Sequence, residues 1–182
     1  MSEEITIDLT TLENQDYFGC KKSLLTTMTE SASVCFNNSN HKNPVNCIAD
    51  GLFTKDYIIK YKAVDESMKA TYNDRDRAVE DGSYSIAFAV IEAHTGLQPM
   101  LKSAKGNGFD YRLGKKTDNI LGFDPKVRLE VSGIFHSKSS STIEKRYKEK
   151  LDRLSKYDIS SPAYIVIVEY SKPLIKVGGL NV

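Results

Sequence analysis

Apolar and polar residues alternate in two short segments of the second half of the chain, 108–113 and 127–133. Alternation with a period of two is typical of a strand with one face on the core and the other face away from it. The apolar positions are Phe109, Tyr111 and Leu113 in the first segment, and Val127, Leu129 and Val131 in the second. The pattern predicts two half-buried strands whose polar faces carry Asp110 and Arg112, and Arg128, Glu130 and Ser132.

Helical patterns flank these strands. The segment 84–94 is apolar almost all round, which predicts a buried helix with Ser83 as its N-cap and Gly96 just past its end. A second helix follows 139–141, with Ile143, Tyr147, Leu151 and Leu154 on one face. The near-continuous apolar run 162–170 predicts a strand covered on both faces. A strand, a helix and a buried strand in succession imply a right-handed crossover and a parallel pair.

Weaker patterns complete the predicted order of elements. The highly charged segment 65–81 predicts an exposed helix or two short ones, and 99–104 predicts a strand joined to the Asp110 strand by a turn at 105–108. A polar loop containing Asp118 and Asp124-Pro125 precedes the Glu130 strand. The tail beyond Pro173 predicts an edge strand.

The first sixty or so residues have a β-rich pattern. Ile5, Ile7 and Leu9 alternate, as do Val34 and Phe36, and short apolar segments follow at 45–48 and 57–61. The fold class predicted is α/β or α+β, with a mixed central sheet flanked by helices. We expect a single domain over 1–182, in which 1–64 forms a β-rich N-terminal part and 65–182 forms the core.

Composition narrows the classes of function only slightly. The net charge of +1 favours neither a nucleic acid nor a membrane partner, so only local clusters carry that argument. No apolar run approaches the about 20 residues that span a bilayer, and the acidic amino terminus lacks signal-peptide features, which predicts a cytoplasmic protein without membrane attachment. Three unpaired cysteines and three scattered histidines favour reduced, apolar-type cysteines over disulfides or zinc.

Asp110 and Glu130 are the strongest candidates for chemistry. If their strands are neighbours, the two carboxylates share one face of the sheet and could hold Mg²⁺ or Mn²⁺, since magnesium usually takes one or two carboxylates with waters and phosphate oxygens. The alternative is that Asp110 pairs with Arg112 or Arg128 on a solvated face. Cations that could bind a nucleic acid backbone border the pair, namely Lys102, Lys105, Arg112, Lys115, Arg128 and Arg146.

The element order from residue 83 onward resembles the core of the PD-(D/E)XK, or restriction-endonuclease-like, superfamily. The segment 106–110 matches the glycine-then-aspartate entry of that family, and 130–132 occupies the E-x-K position. The resemblance covers about half the chain and implies that Asp110 and Glu130 bind a divalent metal. It also implies a carboxylate from the first helix, for which Glu92 is the first choice and Glu80 the second. Parts of the sequence, such as 109–114, also resemble a group of small bacterial proteins.

Ser132 stands where the family has its catalytic lysine. The resemblance therefore implies that another cation, if any, orients the attacking water and stabilises developing negative charge. The candidates are Lys145 and Lys148 on the following helix and Lys126 before the strand. In that helix, however, charged pairs spaced i,i+4 are equally typical of an ordinary solvated face.

Three functions are consistent with these observations. The first is a metal-dependent nuclease that acts on DNA or RNA, with Asp110 and Glu130 as ligands and Glu92 assisting. The second is a catalytically inactive scaffold of the same fold that binds a protein or a nucleic acid, which the missing lysine favours. The third is a structural subunit whose N-terminal part supplies a protein interface.

Overall fold

The computed structural model describes residues 4–115 and 127–182. The helices are α1 (Leu9–Leu12), α2 (Lys22–Asn38), α3 (Glu66–Thr71), α4 (Arg75–Thr95) and α5 (Ser140–Tyr157). The strands are β1 (Ile5–Asp8), β2 (Val45–Gly51), β3 (Tyr57–Lys60), β4 (Gln98–Lys102), β5 (Tyr111–Gly114), β6 (Val127–Ile134), β7 (Ala163–Glu169) and β8 (Leu174–Leu180). The predicted loop with Asp118 and Asp124, and the candidate cation Lys126, lie outside the described residues.

The described strands form one mixed eight-stranded sheet in the order β1-β3-β2-β8-β7-β6-β5-β4. Strands β4, β5 and β6 are successive antiparallel neighbours, and β6 pairs with β7 in parallel. The long connection that parallel strands require is supplied by α5. The predictions of a mixed α/β architecture and of a parallel pair at 162–170 are therefore confirmed.

Two apolar layers hold the helices on the sheet. The larger one contains Phe36 of α2, Phe88 of α4 and Leu129 of β6, and covers one face. The smaller one joins α5 to the other face of β6 and β7, through Ile143, Leu154 and Ile165 among others. The polar face predicted for β6 is thus not open to solvent, because α5 lies across it.

The predicted β-rich pattern is wrong for 22–38, which form the 17-residue helix α2. Its buried positions Leu25, Met28, Ala32 and Cys35 recur every three to four residues, which is helical spacing. Small buried polar residues such as Ser33 interrupt the apolar pattern, so the helical spacing is hard to recognise in the sequence. The Ser33 hydroxyl donates a hydrogen bond to the Thr29 carbonyl one turn earlier (2.7 Å).

The predicted helix start at Ser83 is also wrong, because α4 runs without a break from Arg75, capped by Asp74. Gly82 is a close-approach position rather than a helix breaker. A Cβ there would lie 2.7 Å from the Ala32 backbone nitrogen of α2, so glycine lets the two helices touch. The predicted terminus at Gly96 is confirmed, with φ at 69° in the left-handed region.

The predicted edge position of the last strand is wrong. Strand β8 lies inside the sheet, antiparallel to β7 and parallel to β2. It joins the N-terminal strands to those that carry Asp110 and Glu130, so the N-terminal part extends the same sheet.

The three cysteines are buried free thiols, as predicted. Burial raises the pKa of Cys20 to about 11 and those of Cys35 and Cys47 to about 12, which keeps them as protonated apolar groups. Among the described helices, none has the length and apolar character needed to cross a membrane.

Candidate functional site

Asp110 lies where β5 and β6 separate. Its backbone N–H donates to the Leu129 carbonyl (2.8 Å), and its carboxylate Oδ2 accepts the N–H of Val131 (2.8 Å). The carboxylate thus satisfies a strand donor that the departing chain has left unpaired. The chain departs at Gly108, whose φ of 80° suits glycine and whose Cβ would collide with the Tyr157 ring. Phe109 consequently packs in the smaller apolar layer under α5, and its predicted place beside Tyr111 is wrong.

Glu130 follows the residue that pairs with Tyr111, so it comes next to Asp110 across the two strands. The side chain is 1% exposed, and its Oε1 accepts a hydrogen bond from Lys150 Nζ at 2.5 Å. Arg153 Nη1 lies 3.7 Å from the same oxygen. Glu130 Oε2 is buried and has no hydrogen-bond partner among the described residues. One buried acidic oxygen beside Asp110 is therefore left for a cation or a proton.

The two carboxylates interact electrostatically. Burial, and after it the negative charge of Asp110, raise the pKa of Glu130, while Lys150 and Arg153 counter that rise in part. Burial and the Asp110 charge also raise the pKa of Tyr84, whose hydroxyl is hydrogen-bonded to Asp110. Tyr84 on α4 therefore keeps its proton and holds the Asp110 carboxylate in place.

Replacing Glu130 by glutamine is expected to raise the free energy of unfolding at neutral pH, because the folded chain disfavours the ionised form of the buried carboxylate. The pKa of Glu130 is raised from its ordinary 4.5, so the ionised form is less favourable in the folded chain. The gain should be absent well below pH 4.5, grow as the pH rises, and level off above the raised pKa. Thermal unfolding of both proteins over a pH series, with a chelator present, measures it.

Glu149→Gln is the matched control, because Glu149 is an exposed residue of the same helix that carries Lys150. A wild type that becomes more stable than Glu130→Gln as the pH rises would contradict the sign of this prediction. Functional sites commonly lower the stability of a protein, and a buried ionised carboxylate is one way in which they do so.

The cations that reach the pair come from one side of α5. Arg146, Lys150 and Arg153 line the cleft, spaced four and three residues apart. Arg146 Nη1 donates to Ser132 Oγ at 3.1 Å, so a guanidinium contacts the residue at which the resemblance implies a lysine. Lys145 and Lys148 are exposed and do not line the cleft, which corrects their prediction as the substitute cations. The sequence could have indicated these three cations, because Arg146, Lys150 and Arg153 each lie directly beside the apolar face with which α5 packs on the sheet.

The predicted helix ligand Glu92 lies elsewhere. Its carboxylate accepts hydrogen bonds from the Tyr17 hydroxyl and from Gln98 Nε2, the latter at 2.6 Å, and it lines a separate small cavity. The acidic residues of α4 that line the cleft are Glu80, the second choice from the sequence, and Asp76. The prediction assumed a helix that starts at Ser83, whereas the two added N-terminal turns carry these carboxylates.

Arg128 is a structural residue, which corrects its prediction as a nucleic-acid contact. It is 2% exposed, and its guanidinium donates to the carbonyls of Leu154 (3.3 Å), Asp158 (2.6 Å) and Ser161 (2.5 Å). These bonds tie β6 to the C-terminal end of α5, where helix carbonyls lack partners. The guanidinium of Arg128 therefore binds these carbonyls and does not pair with Asp110, contrary to the alternative drawn from the sequence.

The remaining predicted nucleic-acid contacts divide between two places. Lys102 and Lys105 line the cleft together with Arg146, from the hairpin between β4 and β5. Arg112 does not line it, and its guanidinium lies 5.0 Å from the Phe109 ring centroid. Lys115 is exposed beyond the far end of β5, opposite to Asp110.

The whole cleft has a volume of about 910 Å³. Its walls combine a few acidic residues with cations from three elements, so a phosphate-bearing molecule would meet positive charge around an acidic centre. Residues that the sequence did not single out also line it, namely Arg75, Asp76 and Phe135.

The carboxylate oxygens of Asp110 and Glu130 suit a divalent ion that takes few ligands from the protein. No group of three or more His, Cys, Asp or Glu side chains that could hold a metal occurs within 4–115 and 127–182, so the implied set of Asp110, Glu130 and Glu92 does not assemble. Magnesium, however, is commonly bound by one or two carboxylates plus waters and substrate phosphates. The partnerless Oε2 of Glu130 beside Asp110 fits that requirement. Comparison with family models, curated proteins and solved structures finds no match to this chain.

Proposed function

We propose that the protein is a metal-dependent nuclease, or a close relative that acts on phosphodiester bonds of nucleic acid. The observation that carries the proposal is the buried Glu130 carboxylate, with one partnerless oxygen, which lies behind the cleft wall next to Asp110, a residue that lines the cleft together with several cations. The order α4, β4, β5, β6, α5, β7 is also the order on which the resemblance to the PD-(D/E)XK superfamily rests.

The ligands proposed for Mg²⁺ or Mn²⁺ are the carboxylates of Asp110 and Glu130, with the backbone carbonyl of Val131 as a third oxygen. A bound ion of this kind would lower the pKa of a coordinated water and neutralise a phosphate oxygen. The chain's own contribution is orientation: Tyr84 and the Val131 N–H fix the Asp110 carboxylate, and Lys150 fixes that of Glu130.

Lys150 is proposed as the functional substitute for the lysine that Ser132 replaces. Its ammonium group reaches the Glu130 carboxylate from α5, and the side chain is 19% exposed, so it lies between the buried acid and the cleft. In that position it can donate to the attacking water or to a phosphate oxygen as negative charge develops. Arg146, anchored to Ser132, supplies a second cation.

One observation favours the alternative of a catalytically inactive scaffold that binds nucleic acid. The Lys150–Glu130 ion pair neutralises part of the acidic centre with the protein's own cation. If that pair persists in solution, the cleft retains the cations that attract a phosphate backbone but loses the affinity for a divalent ion.

Calorimetric titration of Mg²⁺ and Mn²⁺ into wild type and Asp110→Ala, combined with cleavage assays on labelled DNA and RNA, tests the proposal. We expect carboxylate-dependent binding that falls at least about tenfold in the variant, because one of two charged ligands is lost. Asp152→Ala, the same change at an exposed position of α5, should bind metal like the wild type.

Absence of carboxylate-dependent metal binding, together with absence of cleavage of either nucleic acid, would sink the nuclease proposal. Salt-sensitive nucleic-acid binding without cleavage, unaffected by Asp110→Ala, would instead support the inactive scaffold.

A further inference from the structure

The end of the cleft away from Glu130 is built from an arginine, an aromatic ring and a histidine. Arg75 begins α4, and its guanidinium carbon lies 5.2 Å from the centroid of the Phe135 ring. Phe135 is partly buried against the larger apolar layer, so the ring has a fixed place. Arg75 is exposed, which leaves the side of the guanidinium away from Phe135 open to the cleft.

His136 is held by a chain of hydrogen bonds to a buried acid. Its Nδ1 lies 2.9 Å from Ser171 Oγ, which donates to Glu169 Oε1 at 3.0 Å. Glu169 is 1% exposed, and Ser137 donates to it through both its backbone N–H (2.9 Å) and its hydroxyl (2.6 Å).

These bonds assign the protons of the His136 ring. Ser171 has one hydroxyl proton, and an ionised carboxylate only accepts, so that proton goes to Glu169 and the Nδ1 of His136 must be the donor to Ser171. Nε2 is then the ring atom left for a ligand. Because His136 is exposed and lines the cleft, its second nitrogen is presented to whatever occupies that end.

The distance between the two ends of the cleft separates their roles. Strand β6 carries the chain from Glu130 to Ile134, about 13 Å at about 3.3 Å per residue, and His136 follows two residues later. The two residues therefore lie at different places along this strand, and a short stretch of one nucleic acid strand is long enough to span them. The cleft volume of about 910 Å³ is that of a pocket for small ligands, which suits a few nucleotides of a single strand better than a duplex.

We propose that the cleft takes single-stranded nucleic acid and that Arg75, Phe135 and His136 form a subsite for one unpaired nucleotide. This inference rests on the proposed function and adds the class of substrate. The base stacks on the Arg75 guanidinium, which Phe135 supports from behind, and Nε2 of His136 accepts a hydrogen bond from an amino or hydroxyl group of the same nucleotide. A base inside a duplex is stacked on both sides and paired, so only an unpaired base can enter this subsite.

The test compares Arg75→Lys with wild type in binding to fluorescein-labelled single strands of about fifteen nucleotides, a length that covers a typical single-strand site. One strand is fully normal, one carries abasic sugars at consecutive central positions, and one is annealed into a duplex. Fluorescence anisotropy is recorded with a chelator, so that neither metal binding nor cleavage enters the result. Arg77→Lys is the matched control, because Arg77 lies on the same helix, is 80% exposed and does not line the cleft.

We expect wild type to bind the normal strand about tenfold more tightly than the duplex or the abasic strand. Lysine keeps the charge of Arg75 but not its plane, so Arg75→Lys should lose about tenfold on the normal strand and little on the abasic one. Arg77→Lys should match the wild type throughout.

Two outcomes would overturn the inference and are distinguishable from each other. If duplex binds as tightly as single strand, or if Arg75→Lys leaves the preference for the normal strand intact, the subsite is wrong while the proposed function stands. If no nucleic acid binds at low salt in the presence of the chelator, the subsite is wrong, and the proposed function is decided separately by the metal titration and the cleavage assays.

Discussion

If the proposed nuclease function is correct, replacing Lys150 by alanine is expected to lower the turnover number of phosphodiester cleavage by about 100-fold, because removing one preorganised donor at a developing charge typically costs 10²–10³. Lys150 is the ammonium that contacts Glu130, at 2.5 Å. The binding of substrate, which many cleft cations share, should change much less than turnover. Metal binding should become tighter, since Lys150 no longer competes for the Glu130 oxygen.

The measurement is a kcat and KM comparison at saturating Mg²⁺, with circular dichroism to verify the fold of the variant. Lys148→Ala is the control: Lys148 lies on the same helix but is exposed and away from the cleft, so its removal should leave kcat within about twofold. Lys150→Arg should recover part of the lost turnover. Equal losses in the Lys148 and Lys150 variants would show that only the net charge of α5 matters.

Replacing Arg128 by methionine is expected to lower the free energy of unfolding by about 1–3 kcal/mol, the cost of leaving a buried polar group such as the Leu154 carbonyl unsatisfied. The guanidinium serves three backbone carbonyls at the end of α5, and methionine supplies no donor to any of them. Urea unfolding followed by circular dichroism gives the change from the transition midpoint and slope.

Arg77→Met is the control for this loss, because Arg77 is 80% exposed and its removal leaves no buried group unpaired. The expected change there is within about 0.5 kcal/mol. A similarly small effect at Arg128 would contradict the structural role and reopen a role in binding.

The sequence located the acidic centre but not its surroundings. Alternation predicted that Asp110 and Glu130 belong to strands with polar faces, and the antiparallel pairing of β5 and β6 makes the two residues neighbours. The predicted openness of that face was wrong, since α5 covers it and buries Glu130. Periodicity records which residues share a face, but it does not record which element covers that face.

The errors about individual site residues have the same origin. Glu92 and Glu80 lie on one helix, and only the way α4 packs on the sheet decides that Glu80 lines the cleft while Glu92 contacts Tyr17. Likewise Lys148 and Lys150 are two residues apart, so they lie on different sides of α5, and its docking selects Lys150. Charge and spacing in the sequence were equally compatible with either choice.

The sequence by itself determined the local elements of the second half of the chain: the buried helix, the hairpin, the amphipathic α5 and the apolar β7. Each depends on contacts between residues close in the chain or on a simple period, both of which a sequence displays. The tertiary structure alone decided that β8 joins the N-terminal strands to the core. It also decided that the Arg128 guanidinium donates its hydrogen bonds to backbone carbonyls and that Lys150 pairs with Glu130. These contacts join distant parts of the chain, and their partners are fixed only when the sheet and its helices assemble.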